Sequence, residues 1–411
     1  MALRATNVSL GKQVNLWVVF ETIRLRGPLS RSDLARRTNL SKPSVSSLVD
    51  ELQGMGLVED GALRTGRVGK PSTLVDLKPE GAFTVGLHLD YGRATVILTD
   101  LVGTVRRREV WHIATEDPAT TIESLLVRLE RFLVAAAVNP RRVAGLGLVM
   151  PGPFGVRGLW PTRLPDWDGE DICGRLRSRL NIPVVLANDG TGATVAEWRF
   201  GDARGRDDFA YVFIGNGIGT GLVTGGRLLN GSKGNAGEIA HIVVEPGGHA
   251  CICGKRGCLE THVSLDAAIR YLNRHAVFVN SMDEFEASVF PGDPLIESWI
   301  EQAIEPLRRG INLLENLLDP ETIYIGGDFP PWLLDRFAAS LHPLEISVRL
   351  NVRQEERFKR AALGKDAAAV GAAALAIASV LNPEVGVNQG DGEERHALFF
   401  NRFSSLTNEA V

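Results

Sequence analysis

Three of the four cysteines, Cys251, Cys253 and Cys258, fall within eight residues, and His241 stands ten residues before the first of them. Three soft thiolates and one imidazole make a closed tetrahedral set for structural zinc, with no position left over for a reactive water. Free thiols in a surface loop are the plainer alternative, which this clustering disfavours. A metal held there would fix the shape of the loop that carries Glu238 and Glu260.

A second stretch with chemical potential is "HLDYGRATV", His88 to Val96. An apolar strand runs into Asp90, Gly92 allows a turn, and a second apolar strand runs out, which is how a hairpin grips phosphate with bare backbone. Arg93 stands at the tip, where that backbone should be bare. An arginine side chain either fills the space of the anion or takes over its charge.

These groups need elements to position them. From Gly81 onward strands and helices alternate: "FTVGLHLDYGRATVILTD" and "GTVRRREVWHI" read as three strands, "TIESLLVRLERFLVAAA" as an amphipathic helix and "VAGLGLVMPG" as a buried strand. "YVFIGNGIGTGLVTGGRLLNG" repeats the strand, polar-glycine turn and strand of the first hairpin. The predicted fold class is α/β, a duplicated fold of two lobes on the plan of the actin-like, ribonuclease-H-like phosphotransferases, with a ligand cleft between them.

The first eighty residues differ in kind, carrying more Lys and Arg than Asp and Glu. "LWVVFETIR" predicts a helix that "RGPL" ends. Ser30 caps a second helix with Leu34 and Ala35 inward, and Asn39 closes a tight turn. Ser41 caps a third, with Pro43 in its first turn. Val45, Leu48, Val49 and Leu52 form the buried stripe of this third helix. Lys42, Ser44, Ser46 and Ser47 are left on its outer N-terminal part, where short polar side chains suit a DNA major groove. Two short strands follow around "RTGRVGK", in which Arg64, Arg67 and Lys70 sit among glycines. The order is that of a winged helix-turn-helix, the wing reaching phosphates or a minor groove. A small helical bundle with a solvated basic face is the alternative.

Composition bounds the rest. A 411-residue chain with 44% apolar residues can bury more than one core. A formal charge of −4 argues against a nucleic-acid-binding surface along the whole molecule. No apolar run is long enough to span a bilayer, no signal-peptide pattern opens the chain, and the cysteines do not suggest a disulfide framework, so a cytoplasmic location away from membranes is expected. The expected division is 1–80 for DNA binding, 81–381 for the two lobes, and a tail, 382–411, that is either disordered or packed on a partner.

"GNAGEIAHIVVEPGGHACICGKRGCLETHVS", Gly234 to Ser264, and "LANDGTGATVAEW", from Leu186, carry a close resemblance to the ROK family of sugar kinases and sugar-responsive repressors. The fused winged helix is similar to that of the repressor branch. The resemblance implies sugar contacts at Asn188, Asp189, Glu238, His241 and Glu260, and the same four zinc ligands, His241 using one ring nitrogen for each task. It implies a catalytic base at Asp189. The family's kinases carry Asp-x-Gly-Gly-Thr at the first hairpin, whereas here Asp90, Tyr91, Gly92, Arg93 and Ala94 follow one another. Asp328, after Gly326 and Gly327, would repel a polyphosphate, and Arg163 replaces the Asn common in "NLPGW". The expected function is a repressor whose operator binding answers to a sugar or sugar phosphate held in a degenerate kinase cleft, with no catalysis and Asp189 as a vestigial base. A homodimer or dimer of dimers is expected from the geometry of operator recognition. An active ATP-dependent sugar kinase that also regulates, and a scaffold that binds neither sugar nor ATP, are the rival readings.

Overall fold

The computed structural model describes residues 8–64, 72–154, 167, 170–232, 234–347 and 356–381. Helix α1 (Val8–Arg26), strand β1 (Leu29–Ser30), helices α2 (Arg31–Thr38) and α3 (Lys42–Gly54), and strands β2 (Val58–Arg64) and β3 (Ser72–Leu77) form a winged helix-turn-helix with sheet order β1-β3-β2. The local signals act as predicted. The Ser30 hydroxyl accepts from the Asp33 N–H at 3.1 Å, Asn39 takes a left-handed φ of 57°, and the Ser41 hydroxyl accepts from the Ser44 N–H at 3.2 Å. Val45, Leu48, Val49 and Leu52 are buried.

The first lobe contains β4 (Phe83–Asp90), β5 (Arg93–Asp100), β6 (Val105–His112), α4 (Pro118–Ala135), β7 (Val143–Met150), α5 (Ile172–Leu180), β8 (Val184–Asn188) and α6 (Asp189–Phe200). The second contains β9 (Phe209–Ile214), β10 (Ile218–Thr224), β11 (Arg227–Leu228), α7 (Glu260–Val263), α8 (Leu265–Arg274), α9 (Met282–Ser288), α10 (Pro294–Leu318), β12 (Thr322–Gly327), α11 (Pro331–Ser340) and β13 (Phe358–Arg360), and the described chain ends with α12 (Ala367–Leu381). The two sheets have orders β6-β5-β4-β7-β8 and β11-β10-β9-β12-β13. In each, the first strand pairs antiparallel with the second and parallel with the fourth. The duplication predicted from two similar hairpins is therefore a duplication of whole sheets. Among the described residues, no helix is long and apolar enough to cross a membrane.

Helix α12 lies against α6 and the first sheet at a range that only small residues permit. A Cβ on Gly371 would collide with the carbonyl of Gly192, and one on Gly147 with that of Ala372. The winged helix does not stand apart from this body. Its core, with Leu16, Val19, Phe20 and Val49, continues into Leu101, Ala144 and Val380 of the larger unit. Arg142 donates to the carbonyls of Met55 (2.7 Å) and Gly81 (2.9 Å). Glu21 of α1 pairs with Arg199 at the end of α6 and accepts from Arg24 at 2.8 and 2.9 Å.

Glu21 and Arg199 are largely buried, with side chains 14% and 15% exposed. Removing one partner of such a pair leaves the other charge uncompensated, which typically costs about 3–5 kcal/mol. Glu21→Gln is accordingly expected to lower the urea midpoint of the transition that releases α1. An unchanged midpoint would show that the new amide and water satisfy the Arg199 and Arg24 guanidinium groups without the carboxylate.

Candidate functional site

The cleft is built where β8 meets α6. Asn188 caps α6, its Oδ1 accepting from the Thr191 N–H at 2.6 Å, which leaves its amide N–H groups as donors for a ligand. Asp189 opens the helix; its Oδ1 accepts from the Gly190 N–H at 2.7 Å. Opposite lies the start of β10. A Cβ on Gly219 would come within 2.7 Å of Asp189 Oδ1, and one on Gly217 within 2.6 Å of Glu260 Oε2. The Ile218 N–H donates to Glu260 Oε2 at 3.4 Å. Glu238 and Asn188 both border the space at Gly152, and Glu238 Oε2 lies 4.0 Å from His241 Nε2. The five polar groups singled out in the sequence thus share one neighbourhood.

Their crowding has an electrostatic consequence. Burial pushes the Asp189 carboxyl up to about 6; His88 and the Gly190 N–H oppose the rise, and Asp90 and Asp328 add to it. Burial pushes Glu260 up to about 7, opposed by the Ile218 N–H and reinforced by Asp266, Glu238 and Asp189. Glu238 is raised by burial alone. A site with two carboxyls poised near neutrality and a third raised by burial can accept from hydroxyl groups, and it is hostile to a second anion.

Beside it opens a cavity of about 590 Å³, whose lining includes Asp90, Tyr91, Arg93, Asn216, Asp328 and Lys365. One expectation needs correction here. The tip of the first hairpin is Tyr91-Gly92, with Gly92 at φ 67°, and Arg93 is the first residue of β5, in register opposite Asp90. The two-residue turn places the positive-φ demand on the glycine, so the arginine follows the tip. Its side chain still enters the cavity, with Nη1 3.7 Å from Asp283.

A ring nitrogen of His241 and the sulfurs of Cys251, Cys253 and Cys258 lie within 4.8 Å of one another, with 3.5 Å from Cys251 to His241 Nδ1 and 3.6 Å from Cys253 to Cys258. Four bonds of about 2.0–2.3 Å to a tetrahedral zinc separate its ligands by roughly 3.5–3.8 Å, so the donor set fits the ion. Burial raises the Cys251 thiol to about 12, a proton that a metal would displace. The use of Nδ1 by the cluster turns Nε2 toward Glu238 and the cleft.

On the winged helix, Lys42, Ser44 and Ser47 are exposed at the start of α3. Ser46 is half-buried, and its carbonyl accepts from Arg31 at 3.2 Å. Arg64 ends β2 opposite Ser72. Arg67, Lys70, Arg163 and the tail 382–411 lie outside the described residues. Sequence reasoning missed His88, two residues before Asp90 on β4, and Asn216, which meets Asp90 because β4 and the β9–β10 turn face each other. The polar residue in "FIGNGIG", the counterpart of the first hairpin's turn, was the available signal for Asn216.

A model of the ROK family matches residues 84–379, and one of the MarR family matches 16–67. The chain is 30% identical to the xylose repressor of Bacillus subtilis (strain 168) over 263 residues, 64% of this chain and 68% of that protein. A solved ROK family transcriptional regulator, a homologue of the E. coli MLC protein, superposes with a TM-score of 0.72 at 26% identity, covering 96% of this chain and 99% of that one. The ROK hexokinase of Thermus thermophilus superposes with a TM-score of 0.53 at 30% identity, covering 71% of this chain and 96% of that one. With most of its length matched to the family model, including both lobes and the cleft between them, the chain belongs to the ROK family.

Proposed function

We propose that the protein is a DNA-binding transcriptional repressor whose cleft senses a sugar or sugar derivative and does not phosphorylate it. The observation that carries this reading is the winged helix sharing one hydrophobic core with the two-lobed body, a combination that matches a solved ROK regulator over nearly its whole length. In this reading residues 1–80 bind DNA, 81–381 sense the ligand, and 382–411 form a separate tail. Asn188 donates to a hydroxyl, while Asp189, Glu238, Glu260 and His241 Nε2 accept or exchange hydrogen bonds with others. Lys42, Ser44, Ser46 and Ser47 approach the major groove, and Arg64, Arg67 and Lys70 the backbone or minor groove. His241, Cys251, Cys253 and Cys258 would hold a structural zinc. When bound, that ion cross-links the loop that positions Glu238 and Glu260.

A kinase reading has support from the hexokinase likeness and from Asp189, which stands at the helix start facing the cleft. Against it, Asp90, Asp283, Asp328 and Asp366 line the cavity where phosphates would lie, and Arg93 occupies part of it. Repulsion of a polyphosphate by these groups favours sensing. Two copies on a palindromic operator would multiply the few base contacts that one winged helix makes.

The test has two arms. DNA selected by the protein from a random pool identifies an operator, and a thermal-shift screen of neutral and phosphorylated sugars identifies the ligand, since a compound that binds only the native state raises the melting temperature. Sugar-dependent ATP consumption would refute sensing alone; failure to enrich any DNA sequence would refute repression. Arg67→Ala with Lys70→Ala should weaken operator binding and lower its logarithmic salt slope by about 2. Sugar-induced stabilisation should be unchanged in that variant. An unaltered slope would remove these residues from the DNA contact.

A further inference from the structure

A second cluster, distant in sequence from the cysteines, faces the cavity. A ring nitrogen of His88 and one carboxylate oxygen each of Asp90 and Asp328 lie within 4.8 Å of one another. His88 is only 5% exposed, its Nε2 has no hydrogen-bond partner among the described residues, and the residue lines the cavity. Asp90 Oδ1 is likewise buried without a partner, while its Oδ2 accepts from Asn216 Nδ2 at 2.5 Å. A buried imidazole nitrogen and a buried carboxylate oxygen left unsatisfied side by side each carry an uncompensated desolvation penalty. The nearby cations do not relieve this. Arg93 reaches Asp283, and Lys365 pairs with Glu286.

We propose that His88, Asp90 and Asp328 form a divalent-cation site that bridges the two lobes. The placement supports a bridge: His88 and Asp90 end β4 of the first lobe, whereas Asp328 follows β12 of the second, its N–H donating to Ile214 at the end of β9. The ring of His88 stands edge-on to Phe213 of β9, with centroids 6.1 Å apart, which restricts its orientation. One imidazole and two carboxylates, with open positions toward a wet cavity, suit manganese, iron or zinc and differ from the closed, sulfur-rich set at Cys251. Such an ion would tie the lobes together with or without sugar or nucleotide. Because it would also neutralise Asp90 and Asp328, exclusion of a phosphate would then rest on Arg93, Asp283 and Asp366.

The experiment uses the full chain carrying zinc, titrated with Mn²⁺ and followed by the paramagnetic resonance of the free ion. Manganese competes poorly for thiolates, so the cysteine cluster keeps its zinc, which elemental analysis verifies. One Mn²⁺ per chain is expected, with spin-echo modulation from a directly bound nitrogen. His88→Gln should abolish that modulation and weaken binding at least about tenfold, since even changes behind a ligand cost that much. Asp328→Asn, on the other lobe, should weaken it similarly. Because the nitrogen signature is read on the wild type, the test does not depend on the variants folding. No saturable Mn²⁺ at millimolar metal, binding without a nitrogen coupling, or equal binding by folded His88→Gln would each overturn the proposal.

Discussion

Replacement of Cys253 by Ser is expected to reduce the metal content from about one ion per chain to about a tenth of that, because a hydroxyl is a poor ligand for zinc and the remaining Cys₂His set leaves the coordination open. The effect should reach the cleft. Val244 and Glu245 both donate their backbone N–H to the Gly257 carbonyl, at 2.9 and 3.1 Å, and Leu259 donates to Ile242 at 3.0 Å, so the segment from Glu238 to Glu260 is a loop closed at its base. Few apolar contacts secure its tip, where Ile252 is exposed. Without the ion, His241, which lies 4.0 Å from Glu238, and Cys258, two residues before Glu260, are no longer tied together. Sugar-induced thermal stabilisation should vanish, protease cleavage within 245–257 should accelerate, and operator affinity without sugar should be unchanged. Full metal content in the variant, or an intact sugar response after metal loss, would show that the loop is held by its backbone alone.

Much of this arrangement was legible because it depends on local chemistry. Ser30, Asn39 and Ser41 mark their helix ends by hydrogen bonds spanning three residues or by a left-handed turn, and such signals survive any tertiary context. The cysteine cluster was legible because its spacing is itself the constraint. The position of Arg93 was misjudged by one residue because Tyr91-Gly92 and Gly92-Arg93 are both plausible turn pairs until the strand register decides. The capping role of Asn188 was available from the sequence "NDGT", in which an Asn stands three residues before Thr191, yet the cleft reading assigned it only to the ligand. Other features depend on distant pairing. Gly192 against Gly371, Glu21 against Arg199, and His88 against Asp328 join residues that share no periodicity and no motif.

Asp189→Asn separates sensing from catalysis, and the structure sharpens what it should do. Asp189 Oδ1 already accepts from the Gly190 N–H, so the substitution bears chiefly on the other carboxylate oxygen. Exchange of a charged acceptor for a neutral amide costs about 1.5–3 kcal/mol per hydroxyl bond lost, or roughly ten- to a hundredfold in sugar affinity. In a sensor, the operator complex then ignores sugar at concentrations that release the wild type, while DNA affinity without sugar is preserved. The pH dependence carries the same signature. Because burial raises the Asp189 carboxyl to about 6, the group is charged above that pH and protonated below it. A carboxylate accepts from hydroxyls more strongly than a carboxylic acid, so wild-type sugar affinity should fall as pH drops through about 6, and Asp189→Asn should lose that part of the profile. The folding contribution has the opposite direction. A carboxyl raised above its unfolded value destabilises the charged native state, so the stability present at low pH declines as pH rises through about 6, and the substitution removes that decline. In a kinase the split would be different: turnover would collapse while sugar affinity stayed near wild type, since the lost step would be removal of the proton from the attacking hydroxyl. Titration of sugar into wild type and Asp189→Asn at pH 5 and pH 8, with ATP consumption measured in parallel, distinguishes the two. ATP turnover in wild type that disappears in the variant would overturn the sensor reading and show that the Arg93 side chain and the aspartates of the cavity accommodate a phosphate.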